Sequence, residues 1–170
     1  MMANERYGDR RVWHTGRGPN GRRVCRWCGT ETAPPRRTWC SQSCVDEWMV
    51  RSSSARMRQA IFRRDQGVCA VCGCDTELLR RVLWHVWRSR EGADWFDSLL
   101  GEIGLSGNVL SRTLWEADHI VPVVRGGGGC GPENIRTLCV PCHRAETARL
   151  AADRARERRD AKRGLLTEAS

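Results

Sequence analysis

Residues 115–147 read WEADHIVPVVRGGGGCGPENIRTLCVPCHRAET, and the reading of this stretch decides the fold. An acid–imidazole pair, Asp118–His119, precedes a run of glycines. Asn134 follows, then Cys139-x-x-Cys142 with His143 directly behind the second cysteine. Trp115 leads into a strand expected to pass through His119 and reach Val124, and a second short strand is expected over 135–138. A helix beginning near Pro141 is expected to run to about Arg163. The glycine run between the strands reads as a loop with no side chains to obstruct a phosphate backbone.

Working outward, the cysteines fall into two sets of four. Cys69 and Cys72 lie far upstream of Cys139 and Cys142, yet together they form a C-x-x-C…C-x-x-C set. Four thiolates around a tetrahedral zinc close the site to substrate, so this zinc is expected to be structural and to clamp the two ends of the core. The second set is Cys25-x-x-Cys28 with Cys40-x-x-x-Cys44, separated by a turn-rich segment. Its spacing suits a small finger in which a knuckle supplies one pair and a helix start the other. Ser41 is placed to cap that helix. The N-terminal MMANERYGDRRVW has no apolar signal region, which favours reduced, zinc-bound thiols over disulfides. Cys74 and Cys130 are left as thiols.

The remaining elements are read from periodicity. Residues 52–65 form an amphipathic helix with Met57, Ile61 and Ala60 inward and Arg58, Arg63 and Arg64 outward. Residues 76–90 carry an apolar stripe of Leu78, Leu79, Val82, Leu83, Val86 and Trp87, and a shorter helix is expected over 94–103. The eight tryptophans are read mainly as core or finger packing. Residues 1–24 are expected to be a flexible basic arm. His14 and His85 are read as ordinary surface or packed residues. No apolar run approaches the length of a membrane span. The formal net charge is +9, with Lys162 the single lysine among 29 basic residues. That excess points to a polyanionic partner, DNA or RNA.

The run at 115–147 resembles the HNH nuclease motif. The resemblance implies an α+β fold: a small zinc-stabilised ββα-metal core with a helical insert, preceded by an N-terminal zinc finger. It implies a catalytic metal, Mg²⁺ or Mn²⁺, held by Asp118 and His143, with His119 as general base. Asn134 would brace the loop holding His119 or contact the metal. Arg125 and Arg144 are the candidates for nucleic-acid contact. The expected organisation is an arm over 1–24, a four-cysteine zinc finger over 25–50, a nuclease domain over 51–150 with its insert at 76–114, and a basic helical tail over 151–170. The expected activity is metal-dependent hydrolysis of DNA phosphodiester bonds. A non-cleaving zinc-dependent nucleic-acid adaptor and an RNA-directed nuclease toxin are the alternatives.

A second resemblance covers about residues 25–150. The run CSQSCVDEWMVRSSSARMRQAIFRRDQGVCAVCG, followed by the insert and WEADHIVPVVRGGGG, is similar to the C-terminal region of the vertebrate zinc-finger annealing helicases that carry an HNH nuclease. The chain holds no G-x-x-x-x-G-K-[ST] phosphate loop, so ATP use is not carried over. The expectation is a stand-alone nuclease module acting on double-stranded or branched DNA, with a separate helicase or translocase as a candidate partner. A cytoplasmic, nucleoid-associated protein of bacterial or phage origin is expected.

Overall fold

The helices and strands follow from local sequence signals. The computed structural model describes residues 14–89 and 95–168, with side chains as far as 163. Helix α1 spans Gln42–Ser52, α2 Ser54–Asp65, α3 Thr76–Arg88 and α4 Phe96–Glu102. Strands β1 (Trp115–His119) and β2 (Ile135–Cys139) pair into a two-stranded sheet, and α5 runs over Val140–Glu168. The expected mixed architecture, with a strand–strand–helix order at its heart, is present. Residues 1–13 of the expected arm, residue 90 of the expected helix 76–90 and residue 94 of the helix expected over 94–103 lie outside the described residues.

Serines set two of the helix starts. Ser41 Oγ accepts from the Cys44 amide and Ser53 Oγ from the Arg56 amide, each satisfying a donor that has no intrahelical partner. Asp75 does the same for Glu77 and Leu78 at the start of α3. Gln66 closes α2 in the left-handed region at φ 53°. β1 is shorter than expected. It stops at His119 because Pro122, which has no N–H to donate, opens a 3-10 turn over Val123–Arg125. The Pro122 carbonyl accepts from both Arg125 and Gly127 amides. Ile120, Val121, Val123 and Val124 are consequently exposed turn residues and not strand.

Two compact units result. The first draws on the segment ending at Gln66 and on Ala117–Thr137; the second on Gly67–Glu116 and on the chain from Leu138 onward. Residues 14–24, expected within a flexible arm, make bridge pairs between Arg17 and Arg23 and between Val24 and Glu31. The Glu31 carboxylate accepts from Asn20 and from the Arg22 amide, which ties this segment to the finger. α1 and α2 pack against each other across the 50/51 position.

In the first unit arginines do much of the tying. The Arg51 guanidinium lies 5.0 Å over the Trp27 ring, pairs with Glu47 one turn back, and reaches Glu133 at 3.3 Å. Arg64, expected to face solvent, donates to the carbonyls of Pro132 (2.8 Å) and Ile135 (2.7 Å). Its neighbour Asp65 accepts from Thr137 Oγ1 at 2.8 Å. The Arg64 guanidinium on Asp65, aided by the Thr137 hydroxyl, holds the Asp65 carboxyl below its usual range against the opposing effect of burial.

The second unit has the larger apolar core: Leu83, Phe96, Leu100, Leu105, Val109 and Leu114, with Leu79, Val86 and Val140 against them. Only part of the stripe expected on α3 enters it. Leu79, Leu83 and Val86 turn inward, whereas Leu78, Val82 and Trp87 are each about half exposed. An apolar set spread over six positions of a 13-residue helix is wider than the single face that the core covers. α5 leaves the core and continues as a solvated helix, with Arg149 between Glu146 (2.8 Å) and Asp153 (3.6 Å).

Arg64→Ala should lower stability at neutral pH by about 1–2 kcal/mol, because two carbonyls lose their donor while the half-exposed ion pair itself is screened by water. The sign of the pH effect follows from Asp65. Its folded pKa is depressed, so its stabilisation is present above its unfolded value near 3.9 and is lost as pH falls through the lower folded value. Thermal melts of both proteins should therefore differ at neutral pH, and the gap should narrow on acidification to the part contributed by the Pro132 and Ile135 carbonyls, which do not titrate. A gap that stays constant into acid would show that Asp65 contributes nothing.

Candidate active-site strand and metal centres

Both cysteine quartets converge. The sulfurs of Cys25, Cys28, Cys40 and Cys44 lie within 4.8 Å of one another, as do those of Cys69, Cys72, Cys139 and Cys142. Four sulfurs about 2.3 Å from one tetrahedral ion sit about 3.8 Å apart. The separations of 3.4 Å for Cys28–Cys40 and Cys40–Cys44, and 3.7 Å for Cys72–Cys139, suit that geometry. Each quartet could hold a zinc ion.

The same knuckle builds both sites. Gly29 N–H donates to the Cys25 carbonyl and Gly73 N–H to the Cys69 carbonyl, each at 2.9 Å. Both glycines have positive φ, 75° and 72°, a conformation that L side chains rarely adopt. The repeated C-x-x-C-G signature is visible in the sequence at 25–29 and 69–73. As thiols, the sulfurs of a quartet oppose one another. A hydrogen bond from the Thr30 side chain draws Cys28 down to about 6, whereas contacts with Cys44 and Cys28 push Cys40 up to about 12. Burial raises Cys69, yet backbone amides at Cys139, Cys72 and Val71 bring it to about 6. Burial, followed by its sulfur neighbours, raises Cys139. Four thiolates in contact need a cation to coexist.

The loop after His119 is held by one buried amide. Asn134 is 2% exposed. Its Oδ1 accepts from the Val121 amide at 2.8 Å, and its Nδ2 donates to the carbonyls of Val121 and Gly127, both at 3.1 Å. The Asn134 carbonyl accepts from Ile120 N–H at 2.8 Å, extending the strand pairing past His119. Every polar atom of the side chain is directed at loop backbone, which is the geometry of a brace. Gly127 is buried here, and a Cβ on it would overlap the Val121 carbonyl and the Asn134 amide. A Cβ on Gly131 would likewise meet Arg51 and Glu133. Gly127 is required for this close approach of backbone, a different reason from the unobstructed phosphate path expected of the run, whereas at Gly131 only flexible side-chain ends would have to move.

Asp118 and His119 end β1, both half-buried. Asp118 Oδ2 accepts from Arg136 Nε at 3.1 Å and Nη2 at 3.0 Å, an ion pair between the two strands that sequence reasoning missed. Its signal was the alternation of β2, in which Ile135 and Thr137 are buried and Arg136 turns to the other face. His143 stands on the first turn of α5, where its carbonyl accepts from Thr147 Oγ1. Asp118, His119 and Asn134 belong to the first unit and His143 to the second. Among the described residues, the groups of three or more histidines, cysteines or carboxylates whose ligating atoms converge are the two cysteine quartets. Arg144 donates to the Gly104 carbonyl at 2.9 Å and to Ser106 Oγ at 3.4 Å, so its guanidinium fastens the 104–106 loop. Arg125 is exposed on the turn after Pro122.

Residues 106–149 match the family model described as HNH endonuclease. The DNA annealing helicase and endonuclease ZRANB3 of Mus musculus is 31% identical over 160 residues, covering 82% of this chain and 14% of that protein. Its Homo sapiens counterpart is 30% identical over 148 residues, covering 78% and 13%. The chain thus spans about one seventh of the length of these curated relatives. The crystal structure of the human ZRANB3 HNH domain is 30% identical, with 62% of this chain and 96% of that one covered and a TM-score of 0.42. Through the segment 106–149, with its DH pair, its asparagine and its final histidine, the chain belongs to the HNH endonuclease family.

Proposed function

We propose that this protein is a metal-dependent endonuclease that hydrolyses phosphodiester bonds in DNA. The observation that carries the reading is the buried Asn134 clamp, which holds the backbone immediately after His119 through three side-chain hydrogen bonds. A general base must keep one orientation towards its water, and a strand end fixed by a buried amide provides that constraint. The excess of arginine over acid supports a polyanionic substrate.

His119 takes the proton from the attacking water, whose oxygen bonds to phosphorus while the bond to the departing ribose oxygen breaks. Asp118 and His143 are the proposed ligands of the catalytic cation. The donor set fits Mg²⁺ or Mn²⁺ in part: a carboxylate suits these hard ions, and Asp118 keeps Oδ1 outside its pair with Arg136. A divalent ion bound there would offset charge on the phosphate and on the departing oxygen. The Arg136 guanidinium, held on Oδ2 by two hydrogen bonds, orients the Asp118 carboxylate.

His119→Ala is the direct test. Cleavage of plasmid DNA in Mg²⁺ or Mn²⁺ should be lost, by roughly a hundredfold or more, while zinc content and melting behaviour stay those of the wild type. Wild-type cleavage by the purified variant would remove His119 from the reaction. Gly127→Ala should cost roughly 1–3 kcal/mol by overpacking the clamp and reduce cleavage. Gly128→Ala, whose Cβ would meet only the Val123 side chain at 3.2 Å, should be tolerated. Equal activity of the two glycine variants would argue against a held loop. Binding of uncleaved DNA should weaken steeply with added salt, since arginines that neutralise phosphates release counterions; a salt-insensitive affinity measured by anisotropy would contradict a phosphate-led contact.

A further inference from the structure

One flank of α3 carries a row of side chains that neither the core nor the metal chemistry uses. Arg80, Trp84, Trp87 and Arg88 recur at i, i+4, i+7 and i+8 and so share one side of the helix, while Leu79, Leu83 and Val86 turn to the core. Trp84 is 42% and Trp87 48% exposed, with ring centroids 5.5 Å apart. The Arg88 guanidinium sits 5.8 Å over the Trp84 ring. Trp84 and Trp87 border an open hollow of about 540 Å³ with Phe96, Leu110 and Asp97. Arg80, Arg81 and His85 border a second hollow that shares Trp84 and Leu110. Among the described acids on this side, Glu77 is paired with Arg80 at 3.2 Å, and Asp97 stands on α4.

Two large indoles left half in water, with arginines at both ends of the row, complement a ligand that offers flat apolar faces joined by negative charges. We propose that this flank of α3 is a stacking platform for unpaired bases of a single-stranded nucleic acid. Trp84 and Trp87 take the base faces, and Arg81 and Arg88 face the flanking phosphates. A protein partner would be served better by the opposite, uncharged flank, where Leu78 and Val82 are 51% and 49% exposed. The platform rests on the nucleic-acid part of the proposed function, and it requires neither the catalytic metal nor cleavage.

The test compares two fluorescein-labelled strands of equal length, oligothymidine and its abasic counterpart, binding to the zinc-loaded full chain without added Mg²⁺ or Mn²⁺. The wild type should prefer the base-bearing strand by about tenfold or more. Trp84→Ala/Trp87→Ala should abolish that preference, Trp84→Phe/Trp87→Phe should retain much of it, and Leu78→Ala/Val82→Ala should leave it unchanged. Equal binding of both strands by the wild type, or an undiminished preference in the alanine variant, overturns the platform. Loss of the preference on the Leu78/Val82 flank instead would also overturn it. Should the wild type prefer bases yet cut no DNA, the platform stands and the nuclease reading falls; cleavage without base preference separates them the other way.

Discussion

The buried side chain of Asn134 is the interaction on which the rest of the first unit depends. A loop that follows a strand exposes backbone donors and acceptors, and when such groups are buried each must find a partner. Here one amide satisfies Val121 in both directions and Gly127 besides. Leaving any one of these buried groups unsatisfied costs about 1–3 kcal/mol. The requirement passes outward in two directions. Gly127 has no room for a side chain, and Asn134 must itself be held by the elements around it.

That second requirement explains why finger and loop form one unit. The Pro132 and Ile135 carbonyls on either side of Asn134 accept from Arg64 on α2, and Glu133 is paired with Arg51 on α1. Arg51 in turn lies against Trp27, beside the first cysteine knuckle. A chain of guanidinium contacts therefore runs from the metal-binding finger to the turn that presents the brace. Arginine suits this use because its planar fork can serve two carbonyls or a carboxylate and an aromatic face at once. The abundance of arginine is thus partly structural, and net charge overstates how much of it is available to a ligand. Arg144 illustrates the point: it stands next to His143 in sequence yet fastens the 104–106 loop.

Both units are small, and each has a cysteine quartet within it. Cores of this size bury too little apolar surface to fold securely without a staple, and a structural metal is one of the few available. In the second unit the quartet lies where Leu138 meets the Cys69 knuckle, while the larger apolar cluster sits between α3, α4 and the segment before β1. Metal site and apolar core secure different parts of that unit. α3 covers its cluster with one face and leaves tryptophans outside it, so the helix carries more apolar surface than folding uses.

The sequence alone determined the features that rest on local chemistry. The Ser41 cap, the two cysteine sets and the strand–strand–helix order are each legible because their physical causes act within a few residues or through fixed ligand spacing, while the DH…N…H pattern is legible through its resemblance to the HNH motif. Tertiary structure decided the rest. That β1 ends at His119 depended on a proline whose effect was hidden by an apolar run, IVPVV, that is compatible with a strand. That Arg136 pairs with Asp118 required knowing which residues the two strands place side by side. The role of Gly127 required knowing what lies against it, because a glycine that permits mobility and one that permits close approach look the same in a sequence. The division of α3 into a buried and an exposed apolar side depended on how much of the helix the core could cover. Sequence periodicity cannot supply that quantity, because it belongs to the partner elements.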